Sequence, residues 1–163
     1  MGALLYKVTM KIKEITQIDI PTLLELIKEL AKYEQLLDQV SANDNLLTQW
    51  IIKEKKANAL LLEYNNTIVG FGLYFNNFST FLGKPGIYLE DLYIKEAYRN
   101  KGFGKQVFKY LANECIQKGY GRLEWSVLDW NEPSIQFYQK LGTVPMSDWT
   151  TYRLTESELK KLI

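Results

Sequence analysis

Arg99-Asn100-Lys101-Gly102-Phe103-Gly104 spells R-x-x-G-x-G, and Lys105 follows it directly. Glycine lets a backbone approach a ligand closely. The first N–H groups of a helix have no partner inside it and favour phosphate oxygens. Set between a strand and a helix, the motif reads as a phosphate-binding turn; the competing reading is an exposed basic turn. It lacks the G-K-[ST] ending of a P-loop and is not G-x-G-x-x-G. Glu90 and Asp91 stand in the middle of an apolar stretch, residues 87–94 (IYLEDLYI). Such carboxylates either pair with cations or accept protons. Strand neighbours face opposite sides, so only one of the two should face a given pocket. Asn131 reads as a helix cap. Tyr138, two turns into the helix that follows, reads as a core aromatic or as a site residue.

Composition narrows the chemistry. The 163 residues contain no histidine, so no Ser-His-Asp triad, Cys-His dyad or His-ligated metal site can form. Cys115 is the one cysteine, which leaves no intrachain disulfide and no Cys cluster for a metal. A lone thiol suits a reducing cytoplasm. The net charge of +1 gives no basis for a nucleic-acid or anionic-membrane partner. No apolar run approaches the ~18 residues that span a bilayer.

The positioning elements follow from periodicity. Residues 10–15 alternate apolar and charged side chains, as a half-exposed strand does. Asp19 and Pro21 open a helix carrying Ile20, Leu23, Leu24, Ile27, Leu30 and Ala31 at helical spacing. A second helix is expected over 43–55, with Leu46, Leu47, Trp50 and Ile51 on one side. Residues 57–64 and 67–75 flank Asn65-Asn66 as a hairpin. Residues 76–86 read as a loop, 87–94 as a strand, and 95–104 as a basic turn. A helix then carries Val107, Phe108, Leu111, Ala112 and Cys115 and stops near Gly119. Residues 122–128 and 149–154 read as strands, with a short helix after Asn131 ended by Gly142. Thr155 and Glu158 form a capping box for a terminal helix. The order predicts an α+β, or mixed α/β, domain over 10–163, with residues 1–9 as an N-terminal extension of native or added origin.

R-x-x-G-x-G with its helix, a strand, and then N-x-x-S-x-x-F-Y-x-x-x-G from Asn131 to Gly142 resembles the GNAT superfamily of acetyl-CoA-dependent N-acetyltransferases. The stretches LIKELAKYE (26–34), YLED (88–91), Tyr98-Arg99, Gly102 to Gly104, WNEPSI (130–135) and Phe137-Tyr138 are most similar to spermidine/spermine (diamine) acetyltransferases. The resemblance implies a single N-acetyltransferase domain whose mostly antiparallel, helix-flanked central sheet splays between residues 87–94 and 122–128. It implies acetyl-CoA in that cleft as co-substrate, with no metal. Leu92, Tyr93, Ile94, Arg99, Asn100, Lys101, Gly102, Phe103, Gly104, Lys105, Asn131, Ser134 and Tyr138 would contact it. Glu90 would take a proton from the amine, directly or through water. Backbone N–H groups of residues 92–94 would face the oxyanion, and Tyr138 would protonate the leaving thiolate. Tyr33, Glu34, Glu90 and Asp91 would hold a small cationic amine, with Asp38 as an added charge. The family has an Asp and a Trp in the 76–86 region; the nearest positions here are Ser79 and Phe81, which weakens the case for long polyamines. A thialysine-like amino acid, a peptide or an antibiotic amine are alternatives, as is a non-catalytic CoA-binding module. The resemblance also implies a homodimer, and the lone thiol of Cys115 leads us to expect a cytoplasmic location.

Overall fold

The computed structural model describes residues 10–163, so the expected extension at 1–9 lies outside the described residues. Two compact units divide the chain, one reaching Ser126 and one spanning Val127–Ile163.

In the first unit, β1 (Lys11–Glu14) leads to α1 (Ile20–Tyr33), with Pro21 in the first helical turn. Asp19, expected as the cap of α1, does not cap it. Its carboxylate turns back to accept from Thr16 N at 2.8 Å and Lys13 Nζ at 3.0 Å. Asn43 does cap the next helix, α2 (Asp44–Leu47), by accepting from Leu46 N at 3.0 Å. The expected helix over 43–55 then widens into π-helical turns at Thr48–Lys53, where Glu54 N reaches back to Gln49 O. That i→i+5 bonding shifts the side-chain phase. Ile51 is buried while Leu46 and Trp50 stay exposed, so the expected apolar face does not form as one stripe.

Strands β2 (Asn58–Tyr64) and β3 (Thr67–Ser79) join through Asn65 and Asn66, whose φ values of 50° and 59° suit a hairpin turn that twists with its strands. The expected loop over 76–86 is instead mostly strand. β3 runs on to Ser79, and β4 (Lys84–Ile94) begins after a four-residue turn. Cross-strand pairing of Asn76, Asn77 and Phe78 with Ile87, Gly86 and Pro85 overrides the weak local strand preference of asparagine, glycine and proline. Ser79 Oγ accepts from Leu82 N at 3.2 Å and closes the turn, leaving Phe81 96% exposed at its tip.

α3 (Phe103–Gln117) and β5 (Leu123–Trp125) complete this unit. Among the described residues the sheet order is β1-β2-β3-β4-β5, antiparallel except for β5, which runs parallel to β4. Leu23, Leu26 and Leu30 of α1 pack with Ala59, Leu61 and Phe71 on one face of the sheet. On the other face, Val107 of α3 lies against Gly72 and Phe108 meets the Trp125 ring at 4.7 Å. Val107, Phe108, Leu111 and Cys115 are buried as expected, but Ala112 is exposed.

In the second unit, Asn131 caps α4 (Glu132–Lys140) by accepting from Ser134 N at 3.4 Å. Glu158 accepts from Thr155 N at 2.7 Å, the expected capping box of α5 (Glu156–Leu159). Residues 149–154, expected as a strand, form none. A strand exists only where its backbone groups find a neighbouring chain, and here Trp149, Tyr152 and Leu154 remain exposed.

Candidate active site

Pairing between β4 and β5 covers only Ile87–Leu123, Tyr88–Glu124 and Leu89–Trp125. β4 continues to Ile94 while β5, expected over 122–128, spans only Leu123–Trp125, so pairing between the two ends at Leu89. Leu92, Tyr93 and Ile94 keep their antiparallel partners on β3, namely Gly72, Phe71 and Gly70. Their other edge lies beyond the last β5 pair.

Glu90 is an extra residue in the ladder. Asp91 pairs with Leu73 and Leu89 with Tyr74, and Glu90 sits between them without an opposite number. Such a bulge re-aims side chains. Of the two acids only Asp91 lines the pocket shared with Glu34, as expected for strand neighbours. Glu90 is exposed and Asp91 half-buried, and Asp91 senses both the Glu90 and Glu34 charges.

Asp91 lines an open pocket of about 190 Å³ with Glu34, beside Ile27, Ala31, Leu36 and Val40. Burial pushes the Asp91 carboxyl up from its ordinary 3.8 to about 7, and the negative charges of Glu90 and Glu34 add to the effect. Burial also raises Glu34. Two acidic groups held against an apolar wall suit an alkyl ammonium, whose charge offsets their cost and whose carbons meet the wall. Tyr33 ends α1 directly before Glu34. Asp38 is exposed, and the pocket wall is made instead by Leu36, Gln39 and Val40. Residues 36–40 carry no periodic signal, so sequence reasoning missed them.

The turn from β4 to α3 is built for close approach. Lys95 N donates to Val69 O at 2.8 Å and anchors its start. Asn100 and Gly102 have φ of 61° and 82°. The first helical bond of α3 runs from Gln106 N to Gly102 O, so the N–H groups of Phe103, Gly104 and Lys105 precede it. An added Cβ at Gly102 would meet nothing within 4 Å, which leaves the space beside this turn open. Open space, leading N–H groups and the exposed Lys101 and Lys105 fit a pyrophosphate. Arg99 behaves differently. Its Nε donates to Ile94 O at 2.9 Å, and its guanidinium lies 4.5 Å from the centre of the Tyr33 ring. Nothing in the local sequence signals that stack.

Asn131, Ser134 and Tyr138 belong to the second unit. Asn131 is buried, as a capping residue with a satisfied side chain can be. Tyr138 is half-buried in α4, 5.4 Å from the Phe137 ring, and its carbonyl accepts from Thr143 Oγ1.

Residues 22–143 match the family model described as "Acetyltransferase (GNAT) family". Thialysine N-epsilon-acetyltransferase of Bos taurus is 33% identical over 93% of this chain and 95% of its own length. L-ornithine N5-acetyltransferase of Arabidopsis thaliana is 41% identical over 58% of this chain, a match that spans 42% of that protein. Spermidine/spermine N(1)-acetyltransferase-like protein 1 of Homo sapiens is 32% identical over 86% of this chain and 22% of its own length. An integron cassette protein of V. cholerae shares the fold, with a TM-score of 0.77, 23% identity, and coverage of 94% of this chain and 96% of its own.

Proposed function

The chain belongs to the acetyltransferase (GNAT) family, and we propose that it moves the acetyl group of acetyl-CoA to a primary amine of a small cationic substrate of the di- or polyamine type. The observation that carries this reading is the pocket shared by Glu34 and Asp91. It lies beside β4, the strand whose far end feeds the phosphate-binding turn.

A primary ammonium has a reference pKa of ~10.4 and must lose a proton before it attacks. Glu90 accepts that proton, directly or through water. The nitrogen lone pair then attacks the thioester carbonyl, and backbone N–H groups near residues 92–94, on the edge of β4 turned away from β3, face the negative charge developing on its oxygen. The C–S bond breaks, the acetyl group stays on nitrogen, and the second nitrogen proton leaves to solvent. The Tyr138 hydroxyl donates its proton to the departing thiolate. The N–H groups of Gly102, Phe103, Gly104 and Lys105 hold the pyrophosphate, with Asn100 and Lys101 beside them and Asn131 and Ser134 as further contacts. Tyr33, Glu34 and Asp91 hold the amine.

A thialysine-like amino acid is the second reading. It is favoured by the near full-length match to a thialysine acetyltransferase and, on the resemblance to diamine enzymes, by Ser79 and Phe81 standing nearest to where those enzymes carry an Asp and a Trp. Phe81 stands out into solvent from the hairpin tip. We further read the protein as a cytoplasmic homodimer. Its single thiol suits a reducing compartment, and Trp149, Tyr152 and Leu154 leave apolar surface of the kind a second copy covers.

The test is an amine panel with acetyl-CoA, with products identified by mass. Acetylated diamines or ω-amino acids, formed with release of CoA, support the reading. Turnover of neutral amines only, or CoA binding with no turnover of any amine, overturns it.

A further inference from the structure

On the reading that the 99–105 turn holds acetyl-CoA and the end of α1 holds the amine, we propose that Arg99 is a positioning residue: it locks the acyl-donor turn to the amine-side helix through the ring of Tyr33. Arg99 opens R-x-x-G-x-G, yet its side chain is directed back into the protein. Nε–H donates to Ile94 O at 2.9 Å, across the turn that Arg99 itself ends. The guanidinium lies 4.5 Å from the Tyr33 ring centre and 5.9 Å from that of Tyr93. One planar cation thus ties the end of β4, the start of the cofactor turn and the last residue of α1. A guanidinium can donate in plane and stack on a ring at once, which an ammonium cannot.

The link has a direction of consequence. Asn100 and Gly102, directly after Arg99, hold left-handed backbone angles that orient the first N–H groups of α3. Glu34, directly after Tyr33, lines the amine pocket. A change at Tyr33 therefore propagates to the phosphate-binding turn without touching CoA. By reciprocity, occupancy of either site alters affinity at the other. The Lys95–Glu29 ion pair at 3.6 Å spans the same two elements, but it is solvent-exposed and adds little.

Calorimetric titration of the full chain with CoA, without amine, tests the link. Tyr33→Leu should weaken CoA binding about three- to tenfold, the range expected for a half-buried cation–π contact, and Tyr33→Phe should keep it within about twofold. Arg99→Lys keeps the charge and loses the stack, so it should weaken CoA as Tyr33→Leu does. The double variant should be no weaker than the worse single one. Thermal melts establish folding, and Arg99→Lys alone decides the matter if Tyr33→Leu does not fold. If the parent binds CoA and both Arg99→Lys and Tyr33→Leu bind it equally well, the link is overturned while the acetyltransferase reading stands. If the parent itself fails to bind CoA, that reading falls, and the link with it.

Discussion

Leu89 and Trp125 form the last register pair between β4 and β5. The very next residue of β4, Glu90, is the bulge, and the one after it, Asp91, faces the pocket with Glu34. The end of strand pairing, the bulge and the raised carboxyl thus fall within three consecutive residues. The bulge interrupts the β3–β4 ladder one residue past the end of β4–β5 pairing.

Amine binding should depend on pH through Asp91. Its carboxyl titrates at about 7, so it is mostly neutral at pH 6 and mostly ionised at pH 8. The substrate ammonium, with a reference pKa of ~10.4, stays charged across that range, and KM for a diamine should fall on the order of tenfold from pH 6 to pH 8. Asp91→Asn should raise KM and flatten the profile. Steady-state kinetics across the range provide the check, and a pH-independent KM in the parent removes Asp91 from the site.

The same group has a stability signature of opposite sense. Below pH 7 the folded chain keeps a proton that the unfolded chain releases nearer the ordinary value of 3.8. The folded pKa is raised, so this contribution to stability is present at low pH and lost as pH rises through about 7. Asp91→Asn should therefore raise Tm more at pH 8 than at pH 5. Equal shifts at the two values would show that Asp91 is not held up by its surroundings.

Tyr138→Phe and Glu90→Gln separate chemistry from binding. Each retains the shape of its side chain, so folding and CoA affinity should persist. Loss of a general acid or base lowers kcat by ~10²–10⁴-fold. A Tyr138→Phe protein that binds CoA and turns over at the parent rate makes Tyr138 a packing aromatic only.

Gly102 is needed for its φ of 82°, not for lack of room, since an added Cβ would meet nothing within 4 Å. Gly102→Ala should cost about 1–2 kcal/mol of stability and weaken CoA binding. Gly102→Asn should do less, because asparagine tolerates the left-handed region. Urea melts with CoA titrations give the comparison; equal losses for both variants would point to crowding by the ligand instead.

Gly70 shows the opposite constraint. A Cβ there would collide with the Tyr93 carbonyl oxygen, whereas at Gly72 the nearest atom is 3.8 Å away. Gly70→Ala should destabilise by about 1–3 kcal/mol or more, as overpacking does, and Gly72→Ala by much less. Urea denaturation of the pair checks this, and similar midpoints for the two would contradict the close approach of β3 to β4.

The parts legible in the sequence are those decided within a few residues. Asn65-Asn66 turns the chain because asparagine accepts positive φ. Asn131 and Thr155-x-x-Glu158 cap helices through atoms three residues away. Val107, Phe108 and Leu111 repeat at helical spacing and are buried. R-x-x-G-x-G marks the turn that leads into α3.

What local pattern could not supply depends on distant partners. Asn76 to Ser79 become strand because β4 lies alongside, and 149–154 do not because no chain pairs with them. Asp19 abandons the helix it precedes for Lys13 and Thr16, a choice between two local possibilities made by β1. The Glu90 bulge arises from pairing of β4 with β3, and the Asp91–Glu34 pocket and the Arg99–Tyr33 stack arise between elements far apart in the chain. The sequence by itself determined which residue types are available and which turns and helix ends they make, since those energies are local. Only the tertiary structure decided which carboxylate is desolvated and which cation faces a ring, because burial and charge proximity exist only once separate segments have packed.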